Sequence, residues 1–274
     1  MLVGNDIFTF LKLNKMRTLA LLFTFVLSGI LFQNKDFSKL NTAVYKWEDL
    51  KTEETNSGKR MQILEGKTNA LDYLEAHVTT LNPGKAPHGS HTHADMEELI
   101  IVKEGLIETT VKGSKKVLGP GSVILALPGD EHGIWNAGDT QASYYIIRWK
   151  TGIEPDLVRS KDSGGSQFYN WNDIEFQTTN KGGKRQVMDR PTALLGQLEM
   201  HVTTLNERTA SHAEHVHSNE EIILIIKGEV EESINGIPHR MGPGSLIFLT
   251  DEIPHGIKNA GSGQCEYFAF KWVK

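Results

Sequence analysis

Three kinds of apolar stretch occur twice along the chain, each at β-strand length. ELIIVKEGLIETTV (residues 98–111) and EIILIIKGEVEESI (221–234) join β-branched runs through a glycine pause, as a hairpin does. SVILALP (122–128) and SLIFLTD (245–251) read as short buried strands, each opened by a turn glycine, Gly121 or Gly244. ASYYIIRW (142–149) and CEYFAFKW (265–272) are further strand-length stretches of alternating character. Turn residues punctuate the strands: Pro83-Gly84, Gly119-Pro120-Gly121, Gly138-Asp139, Asn235-Gly236 and Gly242-Pro243-Gly244. Many short strands, regular turns and no long amphipathic helix predict an all-β sandwich or barrel.

The pairs are parts of one internal duplication. LEAHVTTLN (74–82) returns as LEMHVTTLN (198–206), a shift of 124 positions that also relates His91 to His215. The shift becomes 123 from Glu98 to Glu221 and from His132 to His255, so one residue is missing between His217 and Glu221. YKWEDL (45–50) returns as YNWNDI (169–174). The joint falls in TGIEPDLVRSKDSGGSQ (151–167), where polar residues and Gly164-Gly165 interrupt the apolar alternation. A boundary near Asp162 predicts two antiparallel β-barrels, residues 34–162 and 163–274.

The length of 274 residues agrees with two domains, and a 39% hydrophobic, 23% charged composition is that of a globular chain. A net charge of −5 without a basic run gives nucleic-acid binding no support. The single cysteine, Cys265, excludes an internal disulfide and a cysteine-rich zinc site. Residues 1–33 stand apart. Lys12, Lys15 and Arg17 precede an uncharged run of 15 residues (18–32), too short for a membrane span of about 20 and patterned as a secretory signal peptide. This predicts a periplasmic or secreted protein; the alternative is an uncleaved anchor, the one route by which the chain would meet a membrane.

The candidate chemistry lies in PHGSHTHADMEELIIVKEG (87–105) and SHAEHVHSNEEIILIIKG (211–228). His91 and His93 are two residues apart, so an extended strand aims both imidazoles at one spot, with Glu98 nearby. His215, His217 and Glu221 repeat the arrangement. Imidazole is the commonest metal ligand, and a carboxylate adds charge and hardness. Downstream, His132 precedes Asn136 and His255 precedes Asn259, each histidine 11 residues beyond its turn glycine. His77 and His201 fall in the repeated LExHVTTL strand and read as core or interface residues. Arg148 and Lys271 end paired strands, where they either cap the strand or meet an anionic substrate.

These two histidine stretches per copy resemble the cupin superfamily, and the chain as a whole a bicupin. The first cupin motif is matched by Gly84, His91, His93, Glu98 and Gly105, and the second by Pro128, Gly129, His132 and Asn136. Pro128 and Gly129 are adjacent where the family spaces them, and the second copy carries residues 250–254 ahead of His255. The resemblance implies a jelly-roll barrel, or double-stranded β-helix, whose mouth holds a divalent metal. The implied ligands are His91, His93, Glu98 and His132, and His215, His217, Glu221 and His255. Three imidazoles and one carboxylate suit Mn²⁺ or Fe²⁺ and also admit Ni²⁺, Co²⁺ or Zn²⁺. Counting back seven residues from Gly105 and Gly228 selects Glu98 and Glu221 over their neighbours Glu97 and Glu220. Glu97 and Glu220, with His88 and His212, are then the candidate proton handlers, although strand parity turns both histidines away from the metal, toward the rim. The implied function is a metal-dependent enzyme for a small oxygen-rich metabolite, of dioxygenase, decarboxylase, isomerase or aminohydrolase type. The alternative is a non-catalytic exported bicupin binding a sugar, an organic acid or a metal. Cupins pair through barrel edges, so a homodimer is compatible with the sequence.

Overall fold

The computed structural model describes residues 37–274; the expected signal or anchor segment lies outside the described residues. Among the described residues no helix is long and apolar enough to cross a membrane.

Each of the two barrels sets a seven-stranded antiparallel sheet against a three-stranded one, as a jelly-roll barrel does. In the first barrel the large sheet is centred on Glu97–Glu104, Ala142–Lys150 and Tyr73–Leu81, and the small sheet holds Ser114–Leu118, Ile107–Val111 and His132–Asn136. The second barrel repeats this with Glu220–Lys227, Cys265–Val273 and Gln197–Leu205 opposite Ile237–Met241, Val230–Ile234 and His255–Asn259. The fold is the two-barrel, all-β architecture read from the sequence.

The two repeats exchange their outermost strands. Gln167–Tyr169, which follows the joint in sequence, pairs with Val123–Ala126 of the first barrel. Ala43–Tyr45, near the start of the first repeat, pairs with Leu246–Leu249 of the second. Each exchanged strand gives a partner to a sheet edge that would otherwise expose unpaired amides and carbonyls. The joint itself contains a short helix, Leu157–Asp162, capped by the Asp156 carboxylate, which accepts from Arg159 N at 2.8 Å.

The exchange is locked by repeated packing. Trp171 lies over Gly121 and Trp47 over Gly244, at φ of +82° and +94°, and a Cβ on either glycine would run into the indole ring. The largest apolar cluster joins side chains of both barrels, among them Leu99, Trp149, Leu224, Phe268 and Trp272. A smaller cluster fills each barrel interior, around Ile100 and Tyr144 in the first and Ile223 and Tyr267 in the second.

Glu97 and Glu220 belong to this seam. Successive strand residues face opposite sides of a sheet, so Glu98 pointing into the barrel turns Glu97 toward the other barrel. Fully buried Glu97 accepts from Trp149 Nε1 (3.0 Å), Thr192 Oγ1 (2.7 Å) and Leu194 N (2.9 Å). Glu220 mirrors it, accepting from Trp272 Nε1 (3.1 Å), Thr68 Oγ1 (2.6 Å) and Asn69 N (2.7 Å). Burial raises the Glu97 carboxyl above its ordinary range, and its donors offset this only in part. The expectation of proton handlers at these two positions is corrected here: both carboxylates join the barrels and face away from the histidines.

Candidate metal centres

His91 and His93 precede the strand that carries Glu98, in a loop held by a single bridge to the strand that opens with His132. His91 N donates to His132 O at 3.0 Å, and His132 N donates back to His91 O at 2.9 Å. His215 and His255 exchange the same pair of bonds, both at 3.0 Å. Gly129 N further ties down the His93 carbonyl (2.8 Å), and Glu252 N the His217 carbonyl (2.9 Å). The stretch is therefore a pinned loop where an extended strand was expected.

In the first barrel the donor atoms of His91, His93, Glu98 and His132 all lie within 4.8 Å of one another. In the second, His215, His217 and His255 meet the same limit, and Glu221 approaches His217 at 3.0 Å and His255 at 3.4 Å. The outward nitrogens are fixed by backbone carbonyls: His132 Nδ1 by Asp130 (3.0 Å), His217 Nδ1 by Asn219 (2.9 Å) and His255 Nδ1 by Ile253 (2.7 Å). An Nδ1–H committed to a carbonyl leaves the Nε2 lone pair free to ligate.

Those inward nitrogens carry the test of fit. His132 Nε2 and His255 Nε2 are buried without a hydrogen-bond partner, and so is His91 Nδ1. His91 Nε2 and His93 Nε2 face each other at 3.1 Å, where two lone pairs require a shared proton or a cation. Buried orphan acceptors are costly. Burial, reinforced by His132, His88 and His93, lowers the His91 imidazole to about 4, so it is neutral and able to ligate at neutral pH. Burial opposes ionisation of Glu98, but His132 and His93 outweigh it and hold the carboxyl well below its usual range. Glu221 is likewise lowered to about 2, with His217 and His255 prevailing over burial. Three imidazoles gathered around one ionised carboxylate are a donor set for a divalent transition metal.

His88 and His212 lie at the rims, as strand parity placed them, but they do not turn away from the clusters. Their rings stand 4.4 Å from His91 and 4.1 Å from His215, edge to face. Residues 87–89 and 211–214 form bends, so strand parity does not govern them. His77 and His201 line the two cavities as well, bonded to Glu75 at 3.0 Å and Glu199 at 2.7 Å. Trp135 lines a separate outer depression beside His88, while its counterpart Lys258 pairs with Glu231 at 2.7 Å.

The cavities differ. That of the first barrel is about 50 Å³ and that of the second about 220 Å³. Ile146 narrows the first where Ala269 lines the second. Arg148 in the first is held by Glu75, which also takes Arg60 at 2.6 Å. Lys271, its counterpart, has no ion pair among the described residues. On the small sheet, Thr109 of the first barrel is matched by Glu232, which is fully buried and has no hydrogen-bond partner on either oxygen. Burial pushes the Glu232 carboxyl up to about 8; the charge of nearby His255 counters this only in part, and Glu221 adds to it. Sequence reasoning missed this residue. The signal was an acid in the inward phase Val230–Glu232–Ile234, between two core positions. A further cavity of about 340 Å³, lined by Gly121, Trp171, Ile225 and Gly244, lies between the barrels and contains none of the clustered histidines.

Fold and clusters together define a double jelly-roll protein with a histidine–carboxylate group in each barrel. The cupin domain family matches residues 77–148 and again 201–271, and the chain belongs to it, as a bicupin. Comparison with curated protein sequences returns no match. Among solved structures, the protein Ylba from E. coli is similar over 89% of this chain and 96% of its own, with 14% identity and a TM-score of 0.67. The oxalate decarboxylase of Lactobacillus farciminis, solved as a formate complex, is similar over 87% and 88%, with 12% identity and a TM-score of 0.65. A putative glyoxylate induced protein from Pseudomonas aeruginosa is similar over 81% and 84%, at 16% identity and a TM-score of 0.62. At these identities the likeness is one of fold.

Proposed function

We propose that this bicupin is a metal-dependent enzyme acting on a small oxygen-rich metabolite, and that it works outside the cytoplasm. The observation that carries the first part is the convergence of three imidazoles on an ionised carboxylate in each barrel, with one buried Nε2, of His132 or His255, left without a hydrogen-bond partner. His91, His93, Glu98 and His132 would hold the ion in the first barrel, and His215, His217, Glu221 and His255 in the second. A bound Mn²⁺, Fe²⁺ or related ion supplies Lewis acidity toward a substrate oxygen. Around it, the carbonyl-bonded imidazoles of His132, His217 and His255 keep their orientation. His88 and His212, exposed at the rims, are the residues placed to hand a proton between solvent and a ligand in the mouth. A solved neighbour described as a formate complex of oxalate decarboxylase supports small carboxylates among the substrates.

The test is elemental analysis of the purified protein, followed by turnover assays with oxalate, flavonols, ureidoglycine and unsaturated uronates, with and without O₂. Metal-loaded protein that turns over none of these classes contradicts the enzymatic reading and favours a binding protein. Export rests on the basic flank and apolar run of residues 12–32. Full-length chain recovered from the cytosol with its N-terminus intact would contradict it.

A further inference from the structure

The two barrels have matching metal-ligand sets, yet their cavities are built for different contents. A volume of about 50 Å³ admits one or two waters, whereas about 220 Å³ exceeds the roughly 150 Å³ that encloses a benzene ring. Among the described residues, the wider cavity also presents an unsatisfied carboxyl and an unpaired ammonium. Glu232 is fully buried, lines the cavity and has neither oxygen hydrogen-bonded. An unsatisfied buried carboxyl destabilises the fold unless a ligand supplies its partner. Lys271 lines the same cavity on the strand opposite Glu221 and is without an ion pair among the described residues. In the first barrel both charges are removed from the cavity: the uncharged Thr109, whose hydroxyl is also unpartnered, replaces the carboxyl, and Glu75 engages the arginine.

We propose that the second barrel is the one that takes a substrate, and that Glu232 and Lys271 recognise a small hydroxycarboxylate there. The Lys271 ammonium faces the ligand carboxylate, and Glu232 takes a ligand hydroxyl. Ala269 provides the room that Ile146 removes from the first barrel. This assignment rests on the metal-centre reading above and narrows it to one barrel and one substrate class.

Calorimetric titration of the metal-loaded full chain with glycolate, lactate and glycerate tests it, with glycerol and propionate as probes lacking the carboxylate or the hydroxyl. At least one hydroxy acid is expected to bind at one site per chain, and the two control probes at least tenfold more weakly. Glu232→Thr, which installs the first barrel's residue, and Lys271→Met are each expected to weaken binding tenfold or more. Ala269→Ile is expected to abolish it. Thr109→Val, the matched change in the first barrel, is expected to alter affinity less than twofold. Metal content, measured on every variant, separates the two readings. If the wild-type second barrel holds no metal, the metal-centre reading fails. If it holds metal but none of the three acids binds, or Glu232→Thr binds as wild type does, the hydroxycarboxylate assignment fails by itself.

Discussion

Glu97 and Glu98 are neighbours in sequence and opposite in role, and Glu97→Ala separates them. The change removes the acceptor for three donors, Trp149 Nε1, Thr192 Oγ1 and Leu194 N. All three belong to buried residues, so water does not readily replace the lost partner. A buried donor left unsatisfied costs about 1–3 kcal/mol. Removing a desolvated carboxyl returns part of this, leaving a net loss of about 4 kcal/mol for the three together. For a chain of this size that corresponds to a fall in Tm of roughly 8–16 °C. Glu97→Gln keeps an acceptor oxygen and mimics the neutral acid that burial favours, so it is expected to cost less than half as much. The assay is thermal unfolding monitored by circular dichroism, with metal content measured on the same samples. Glu97→Ala is expected to lose stability and keep its metal; Glu98→Ala is expected to lose metal from the first barrel. A Glu97→Ala protein melting within about 2 °C of wild type but missing one metal would refute the assignment of both residues.

Three further outcomes are expected. Asn136→Ala deletes the bonds from Asn136 Nδ2 to Leu81 O (2.9 Å) and Thr140 O (2.8 Å) and the acceptor for Gly138 N (3.0 Å). Denaturant titration should show a loss of about 2–4 kcal/mol, and a change below about 0.5 kcal/mol would contradict a structural role. Gly121→Ala forces a Cβ against the Trp171 ring at a positive φ, so differential scanning calorimetry should register a loss of about 2 kcal/mol or more; an unchanged Tm would contradict the packing described. In metal-free protein, Glu232 is raised from 4.5 to about 8 by burial, so the folded state holds this proton more tightly than the unfolded chain. Stability is therefore highest below pH 4.5 as far as this group is concerned, and it falls as pH rises toward 8 by up to about 1.4 kcal/mol per pH unit. Urea titrations at pH 5 and 8 should show this slope in wild type and its loss in Glu232→Gln; parallel curves would contradict it.

The sequence made the barrels legible because alternation and duplication are direct consequences of strand geometry and repeated packing. The histidine sets were legible for a similar reason, since ligand types recur at matched spacing. Other features depend on contacts that spacing does not encode. The exchange of Ala43–Tyr45 and Gln167–Tyr169 is a choice between two equivalent sheet edges, which strand propensity leaves undecided. Strand parity failed at His88 and His212 because the chain bends there and only rejoins the sheet at the His91 and His215 bridges. Counting from Gly105 distinguished Glu98 from Glu97, yet only the neighbouring barrel explains why Glu97 is buried at all. Glu232 was in plain view on the inward phase of its strand. The two repeats differ there by one residue, and a reading guided by what they share passes over such a position.

Each barrel gathers three imidazoles and one carboxylate at one point, a set proposed above to hold one ion. Elemental analysis after saturation with Mn²⁺ and desalting tests it most directly, on wild type, His132→Ala, His255→Ala and the double variant. Two ions per chain are expected in wild type, one in each single variant and none in the double variant, with all four proteins folded. Folded wild type that retains no ion, or a double variant that retains both, would contradict it.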